Sequence, residues 1–212
     1  MRTKTQFVQK IDDELIWRRK ELADFKVVVQ QQSASPLRKS VLLRAGVTLL
    51  YAHWEGFVKT GGAYYLEYVA NQRRSGSELR ANFLAIKLKS QINEVSKSKK
   101  ISSAEELINF FCTKLSDNLR IPHKGIVDTE SNLSSKVLKE ILWTLGLERT
   151  WFETKSALID ESLVAKRNYI AHGEALNIDL ADYLKLHHEV LSMIDAFRTL
   201  LQNAAVQDKF LR

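Results

Sequence analysis

Two prolines and eight glycines in 212 residues leave this chain few places to turn. A β-sandwich or barrel reverses direction about every 8–12 residues and spends those residue types at its corners, so long helices are what this sequence permits. The apolar periodicity agrees. From about Thr3 to Gln32, Phe7, Ile11, Leu15, Leu22, Phe25 and Val29 recur at steps of three, four or seven, which mark one stripe of a helix. Glu14 and Arg18 add a favourable pair four residues apart. Ser33-Ala34-Ser35-Pro36 closes this helix and opens the next, since Ser caps well and Pro fits the first turn. The second helix, about Pro36 to Gln72, carries Leu42, Ala45, Leu49, His53, Gly56 and Phe57 as its stripe. Gly56, Gly61 and Gly62 inside it predict either close backbone packing or a break near Thr60.

Leu79 to Val95 and Ser103 to Leu119 read as two shorter helices, the second capped by Ser102 or Ser103. Arg120 to Asn132, with Pro122 and Gly125, reads as a loop. Ser134 or Ser135 then opens a helix that Gly146 ends. The last two helices span about Thr150 to His172 and Asp179 to Gln207, with Gly173 suited to a left-handed position after the first and Asp179 to the cap of the second. Leu180, Leu184, His187, Leu191, Ile194 and Leu201 stripe the final helix. The expected fold is all-α: two long antiparallel hairpins with a pair of shorter helices inserted at about 73–132. No linker composition divides the chain, so residues 1–212 read as one domain.

Hydrophobic residues make up 45% and charged residues 27%, enough apolar content for a core and too much for disorder. The single cysteine, Cys112, sits in an apolar run as core filler, and with no disulfide possible within one chain it implies a reducing compartment. The N-terminus lacks the apolar segment of a secretory signal, and Val41 to Ala52 is too short to span a bilayer, so a cytoplasmic protein without membrane contact is expected.

The net charge of +7 is concentrated. Between Asn71 and Lys100 eight basic residues face two acidic ones, Glu78 and Glu94. Lys97, Lys99 and Lys100 make this strip a candidate for neutralising phosphates without reading sequence. The other reading is a solvated helix face with a Ser-Lys loop, or a dock for an acidic partner.

Phosphate-binding glycine loops, nucleophile elbows, paired zinc-ligand motifs and CxxC are absent. The five histidines, His53, His123, His172, His187 and His188, are not spaced to share a metal on one helical turn, so neither metal nor cofactor is expected. His53, His187 and the four tryptophans read as packing, with His188 at the rim. What remains is Arg167-Asn168-Tyr169-Ile170-Ala171-His172. On a helix Asn168 and His172 lie about 40° apart and Arg167 and His172 about 140°, a difference a long guanidinium spans at a helix end. A titratable imidazole, an orienting amide and a fixed cation form a set suited to phosphodiester chemistry. Alternatively Arg167 pairs with a carboxylate and His172 is a favourable charge at a helix C-terminus.

The pattern R-N-x-x-x-H near the end of a helix resembles the HEPN domain family, and Leu50-Tyr51-Ala52-His53-Trp54-Glu55-Gly56-Phe57-Val58-Lys59 with Ser131-Asn132-Leu133 is similar to one bacterial subgroup of it. The resemblance implies a metal-independent endoribonuclease with Arg167 and His172 as catalytic pair and Asn168 orienting them. It also favours Glu55 as a supporting partner of Arg167 over a plain surface acid, and implies a homodimer in which two copies line one cleft. RNA would be the substrate, the product a 2′,3′-cyclic phosphate, and the setting a toxin–antitoxin or defence system with an antitoxin or defence partner. The competing implication is a non-catalytic module that binds RNA, a nucleotide or a protein.

Overall fold

In the computed structural model, which describes residues 1–31 and 35–212, the chain is all-α. Helix α1 spans Lys4–Gln30, opened by a reciprocal cap in which Thr3 Oγ1 accepts from Gln6 N (3.1 Å) and Gln6 Oε1 accepts from Thr3 N (3.3 Å). Helix α2 spans Pro36–Asn71, with Ser35 Oγ accepting from Arg38 N and Pro36 in the first turn. The expected Ser33-Ala34 part of the connection lies outside the described residues. Helix α8 spans Leu180–Val206, and Asp179 Oδ1 caps it by accepting from Asp182 N at 2.7 Å.

These three long helices pack on one another and enclose the core. Phe7, Ile11 and Leu22 of α1, Trp54 and Phe57 of α2, and Phe197 and Leu201 of α8 are all fully buried there. Phe197 sets its edge against both Trp54 and Phe57, at centroid distances of 6.3 and 6.2 Å. Each such side chain contributes about 1.5–3 kcal/mol by leaving water. Helix α2 runs unbroken through Thr60, which decides for close packing at its glycines. A Cβ on Gly61 would stand 2.9 Å from Leu201 Cδ1, so the absent side chain sets how near α8 lies. The buried stripe of α2 is rotated from the expected one: Leu43, Val47, Leu50 and Trp54 are inside and Ala45 is exposed. Both faces carry leucines, and contact with α1 and α8 together selects the inner one.

A charged pair is buried between α1 and α2. Arg18 is 6% exposed; its Nη2 donates to Glu14 Oε2 at 3.1 Å, and a Cβ on Gly56 would lie 2.9 Å from its Nη1. Trp17 Nε1 and the Tyr64 hydroxyl also donate to the Glu14 carboxylate. His53, 3% exposed, packs at a tilt against the Trp17 ring and places Nε2 3.0 Å from Glu21 Oε2. On α8 the buried His187 donates from Nε2 to the Leu22 carbonyl.

Burial pushes the pKa of both His53 and His187 below the ordinary value, against opposing effects of Glu21 on the first and the Leu22 carbonyl on the second. The folded state therefore holds them neutral. The unfolded chain takes up those protons below pH about 6.5, so stability present above that pH is lost as pH falls toward the lowered folded values. The melting temperature is expected to drop between pH 7.5 and 5. In His187→Gln the slope of that drop should be shallower, and an unchanged slope would refute the assignment.

Helices α3 (Ala81–Lys97) and α4 (Ile101–Asn109) lie in the segment expected as an insertion, α4 passing into a π-helical turn over Phe110–Lys114. No side chain caps α4, which starts at Ile101 ahead of Ser102 and Ser103. Cys112 is exposed rather than in the core: the wider π turn directs Phe110 inward and leaves Phe111 and Cys112 outside. Helix α5 (Ser135–Leu145) starts at Ser134, whose Oγ accepts from Val137 N, and stops at Gly146 with φ +69°. The stretch expected as one helix over Thr150 to His172 is divided. Helix α6 spans Thr150–Glu153, a π-helical segment spans Leu158–Ala165, and α7 spans Lys166–Ala171. Of the tryptophans only Trp54 is buried; Trp17, Trp143 and Trp151 present large parts of their rings to solvent. Among the described residues no helix is long and apolar enough to cross a membrane.

Candidate functional site

Helix α7 ends in a turn that its sequence dictates. His172 N donates to Asn168 O, Gly173 N to Ile170 O and Glu174 N to Tyr169 O, with Gly173 at φ +77°. The last two of these bonds satisfy the final carbonyls, and the left-handed residue they require is the one without a Cβ. Arg44 of α2 then donates from Nη2 to the Glu174 carbonyl at 2.9 Å, tying the chain beyond the turn to the long helix. The His172 side chain is exposed at the helix end, without a hydrogen-bond partner among the described residues.

Arg167 is held from three sides. Its Nη1 donates to Asn168 Oδ1 at 2.8 Å and to Asn132 Oδ1 at 2.9 Å, and its guanidinium carbon lies 4.9 Å from the centroid of the Tyr51 ring. Tyr51 is buried on α2, and its hydroxyl accepts from Leu133 N at 2.8 Å. That bond fixes the backbone beside Asn132, so one tyrosine both supports the guanidinium with its ring and sets the amide that anchors it. A second anchor follows two residues on, where Ser135 N and Oγ both donate to the Asp160 carboxylate of the π-helical segment, at 2.7 and 2.5 Å. The π winding turns Asp160 toward α5 while Ile159 and Leu163 stay buried.

The electrostatics follow from those partners. Among the described residues no carboxylate lies at ion-pair distance from Arg167, and its Nε and Nη2 have no hydrogen-bond partner. Two neutral amide oxygens and an aromatic face orient the cation without cancelling its charge, leaving a donor edge shaped for a phosphate. Glu55 is half-buried on α2 and acts on Tyr51. Burial pushes the Tyr51 hydroxyl above its ordinary pKa, Glu55 adds to that, and Leu133 N–H and Arg167 oppose it. A neutral hydroxyl is the form that keeps both its donor and its acceptor capacity.

Of the residues singled out by sequence, Arg167 and Asn168 are in direct contact, His172 stands one helical turn further on, and Glu55 reaches the cluster through Tyr51 rather than through a bond to Arg167. Lys97, Lys99 and Lys100 are exposed at the turn between α3 and α4, outside this cluster. Asn132 and Tyr51 are the contacts that spacing alone does not reveal, since they lie 35 and 116 positions from Arg167. The only sequence signal for them is that both fall in the two segments carrying the wider family resemblance. Among the described residues no group of three or more His, Cys, Asp or Glu side chains is placed to hold a metal ion.

No curated protein and no solved structure matches the chain. The protein family described as RiboL-PSP-HEPN does, over residues 13–203.

Proposed function

The chain belongs to the RiboL-PSP-HEPN family of HEPN domains, a nuclease or RNA-related class, and from that premise we propose that it is a metal-independent endoribonuclease. The observation that carries the proposal is the Arg167 guanidinium, immobilised by Asn132, Asn168 and Tyr51 while keeping an unpaired edge and an uncancelled charge. In this reading residues 1–212 form one domain with an insertion at 73–132. Two copies meet so that Arg167 and His172 of each line a common cleft.

The reaction is attack of an RNA 2′-hydroxyl on the adjacent phosphorus. The 2′-oxygen gives up its proton, the bond to the 5′-oxygen breaks, and that oxygen takes a proton as it leaves, giving a 2′,3′-cyclic phosphate and a 5′-hydroxyl end. His172 moves the proton, and its exposed position at a helix end leaves it open to a substrate. The free edge of Arg167 binds the crowded phosphorus centre, whose charge grows toward the transition state. Asn168 and Asn132 keep that edge in place. Because the nucleophile is the 2′-hydroxyl, DNA is not cut. Lys97, Lys99 and Lys100 add sequence-independent attraction for the RNA backbone. Such an activity belongs in a toxin–antitoxin or defence setting, restrained by a partner protein in the cytoplasm.

A second reading is a module that binds RNA, a nucleotide or a protein without chemistry. It is favoured by one feature: among the described residues no partner orients the His172 ring.

The test is incubation of purified protein with single-stranded RNA in excess EDTA, with the new ends analysed. Fragments carrying 2′,3′-cyclic phosphate and 5′-hydroxyl groups are expected, alongside an intact DNA strand of the same sequence. No cleavage at any protein concentration that forms dimers would leave the binding module as the surviving reading.

A further inference from the structure

Helix α5 starts at the amide that anchors Arg167 and leads away from it. Asn132 is three residues ahead of Ser135, the first residue of the helix, so the exposed face of α5 is continuous with the candidate site. That face carries Lys136, Lys139 and Trp143, spaced three and four apart and therefore on one side of the helix. From Lys136 to Trp143 it extends roughly 10 Å.

Two clefts, about 330 and about 390 Å³, lie along the same path. The first runs between α5 and α6 and is lined by Ser135, Lys136, Lys139 and Arg149; the second is lined by Trp143, Arg149 and Arg80. Arg149 and Glu153 line both, so the clefts adjoin. Trp143 is 60% exposed, an unusual position for the largest apolar side chain, and the Arg149 guanidinium lies over its ring at 4.2 Å. Helical periodicity does not require a tryptophan on this outer face.

The acids on the path leave the cations available. Glu153 approaches Lys139 only to 3.8 Å, with both side chains more than half exposed, a pairing of little strength. Glu148 is exposed and lines the second cleft, Glu140 is exposed one helical turn from Lys136, and Arg80 is committed to the Gly146 and Lys209 carbonyls. Lys136, exposed and without an ion pair among the described residues, and Lys139, only loosely paired with Glu153, thus stand beside a flat aromatic surface braced by a cation. This combination of point charges for phosphates and a stacking surface for a base suits a single strand, whose bases are unpaired and whose backbone is flexible.

We propose that the outer face of α5 is a binding track for single-stranded RNA flanking the scissile phosphate, with Lys136 and Lys139 on backbone phosphates and an unpaired base stacked on the face of Trp143 that Arg149 leaves open. The track rests on the ribonuclease reading for its purpose and on the groove and its side chains for its existence. It gives the protein a reason to prefer unpaired RNA, because a base in a duplex has no free face for Trp143.

The test uses the full-length protein and a fluorescein-labelled, single-stranded 2′-O-methyl RNA about 12 nucleotides long, which lacks the nucleophilic hydroxyl and is not cut. Trp143→Ala is expected to weaken binding about tenfold, and Trp143→Tyr, which keeps a stacking face, by no more than about twofold. The double change Lys136→Glu with Lys139→Glu is expected to weaken it about thirtyfold or more. It should also flatten the dependence of log affinity on log salt by about 1.4, the share of two phosphate contacts on a single strand. Lys20→Glu together with Lys185→Glu, on exposed faces of α1 and α8, makes the same change in net charge and should bind like wild type. All of these side chains are exposed, so unchanged thermal melts are expected to show that the fold persists. Wild-type affinity in both Trp143→Ala and the lysine double variant would overturn the track, as would a wild-type protein that binds no single-stranded RNA. A duplex bound as tightly and with the same sensitivities would overturn its single-strand character. Should the probe bind as expected while natural RNA stays intact, the track stands and the nuclease reading alone falls.

Discussion

Arg167→Ala is expected to reduce RNA cleavage about a hundred- to a thousandfold, the usual effect of deleting one preorganised donor to a developing anion. The physical reason is the division of labour within the guanidinium. Nη1 is spent on Asn132 and Asn168, and the ring of Tyr51 fixes the plane, so the remaining edge is aimed before substrate arrives. Arg167→Lys keeps the charge but loses the planar fork and the double anchoring, and should recover only a small part of the rate. Asn132→Ala leaves the charge intact and loosens its aim, so its effect should fall on turnover more than on substrate binding. Arg167 is only half-buried and its partners are neutral, so the melting temperature should move little in any of these variants. Cleavage by Arg167→Ala at the wild-type rate would remove the residue from the mechanism.

Glu14→Ala is expected to have the largest effect on stability. Glu14 compensates Arg18, which is 6% exposed between α1 and α2, and it also accepts from Trp17 and Tyr64. Removing it leaves the buried cation only the longer-range attraction of Glu21 and cuts three hydrogen bonds. Loss of one member of a buried pair costs about 3–5 kcal/mol; since Glu14 keeps some contact with water, about 3 kcal/mol is the better figure here. In a chain of this size that corresponds to roughly 6–12 °C in melting temperature. Adding Arg18→Met to Glu14→Ala should restore much of the loss, because an apolar side chain of similar volume demands no partner. A double variant no more stable than the single one would show that the deficit comes from packing rather than from the stranded charge.

The same pair illustrates what could be read from sequence. Spacing marks Glu14 and Arg18 as helix neighbours, but that both turn inward depends on Gly56, 38 positions beyond Arg18, making room for a guanidinium. Helix ends were legible because their causes are local: Ser35-Pro36, Ser134, Gly146, Gly173 and Asp179 each act within a turn of where they stand. The π winding over Leu158–Ala165 was not, since its eight residues also suit an α-helix and tertiary packing selects between the two. Cys112 was misplaced for the same reason, because an apolar neighbourhood in sequence does not say which way a π turn faces. For the candidate site, sequence supplied Arg167, Asn168 and His172 as one run. It could not supply the bond from Asn132 or the ring of Tyr51 beneath, because those contacts exist only once the loop has been folded onto α2.

The way that loop is fastened has a practical consequence. Its last part is fixed at Leu133 by Tyr51 and at Ser135 by Asp160, and its middle is held by the buried side chains of Ile121, Val127 and Thr129. Between Ile121 and Val127 the chain bulges outward through Lys124 and Gly125, and around Gly125 nothing stands within 4 Å of where a side chain would begin. The bulge is thus mechanically insulated from Asn132, seven positions later, and from the guanidinium it holds. A tag, a fluorophore or a fusion partner spliced in at that point has room outside the fold and no lever on the amide that aims Arg167.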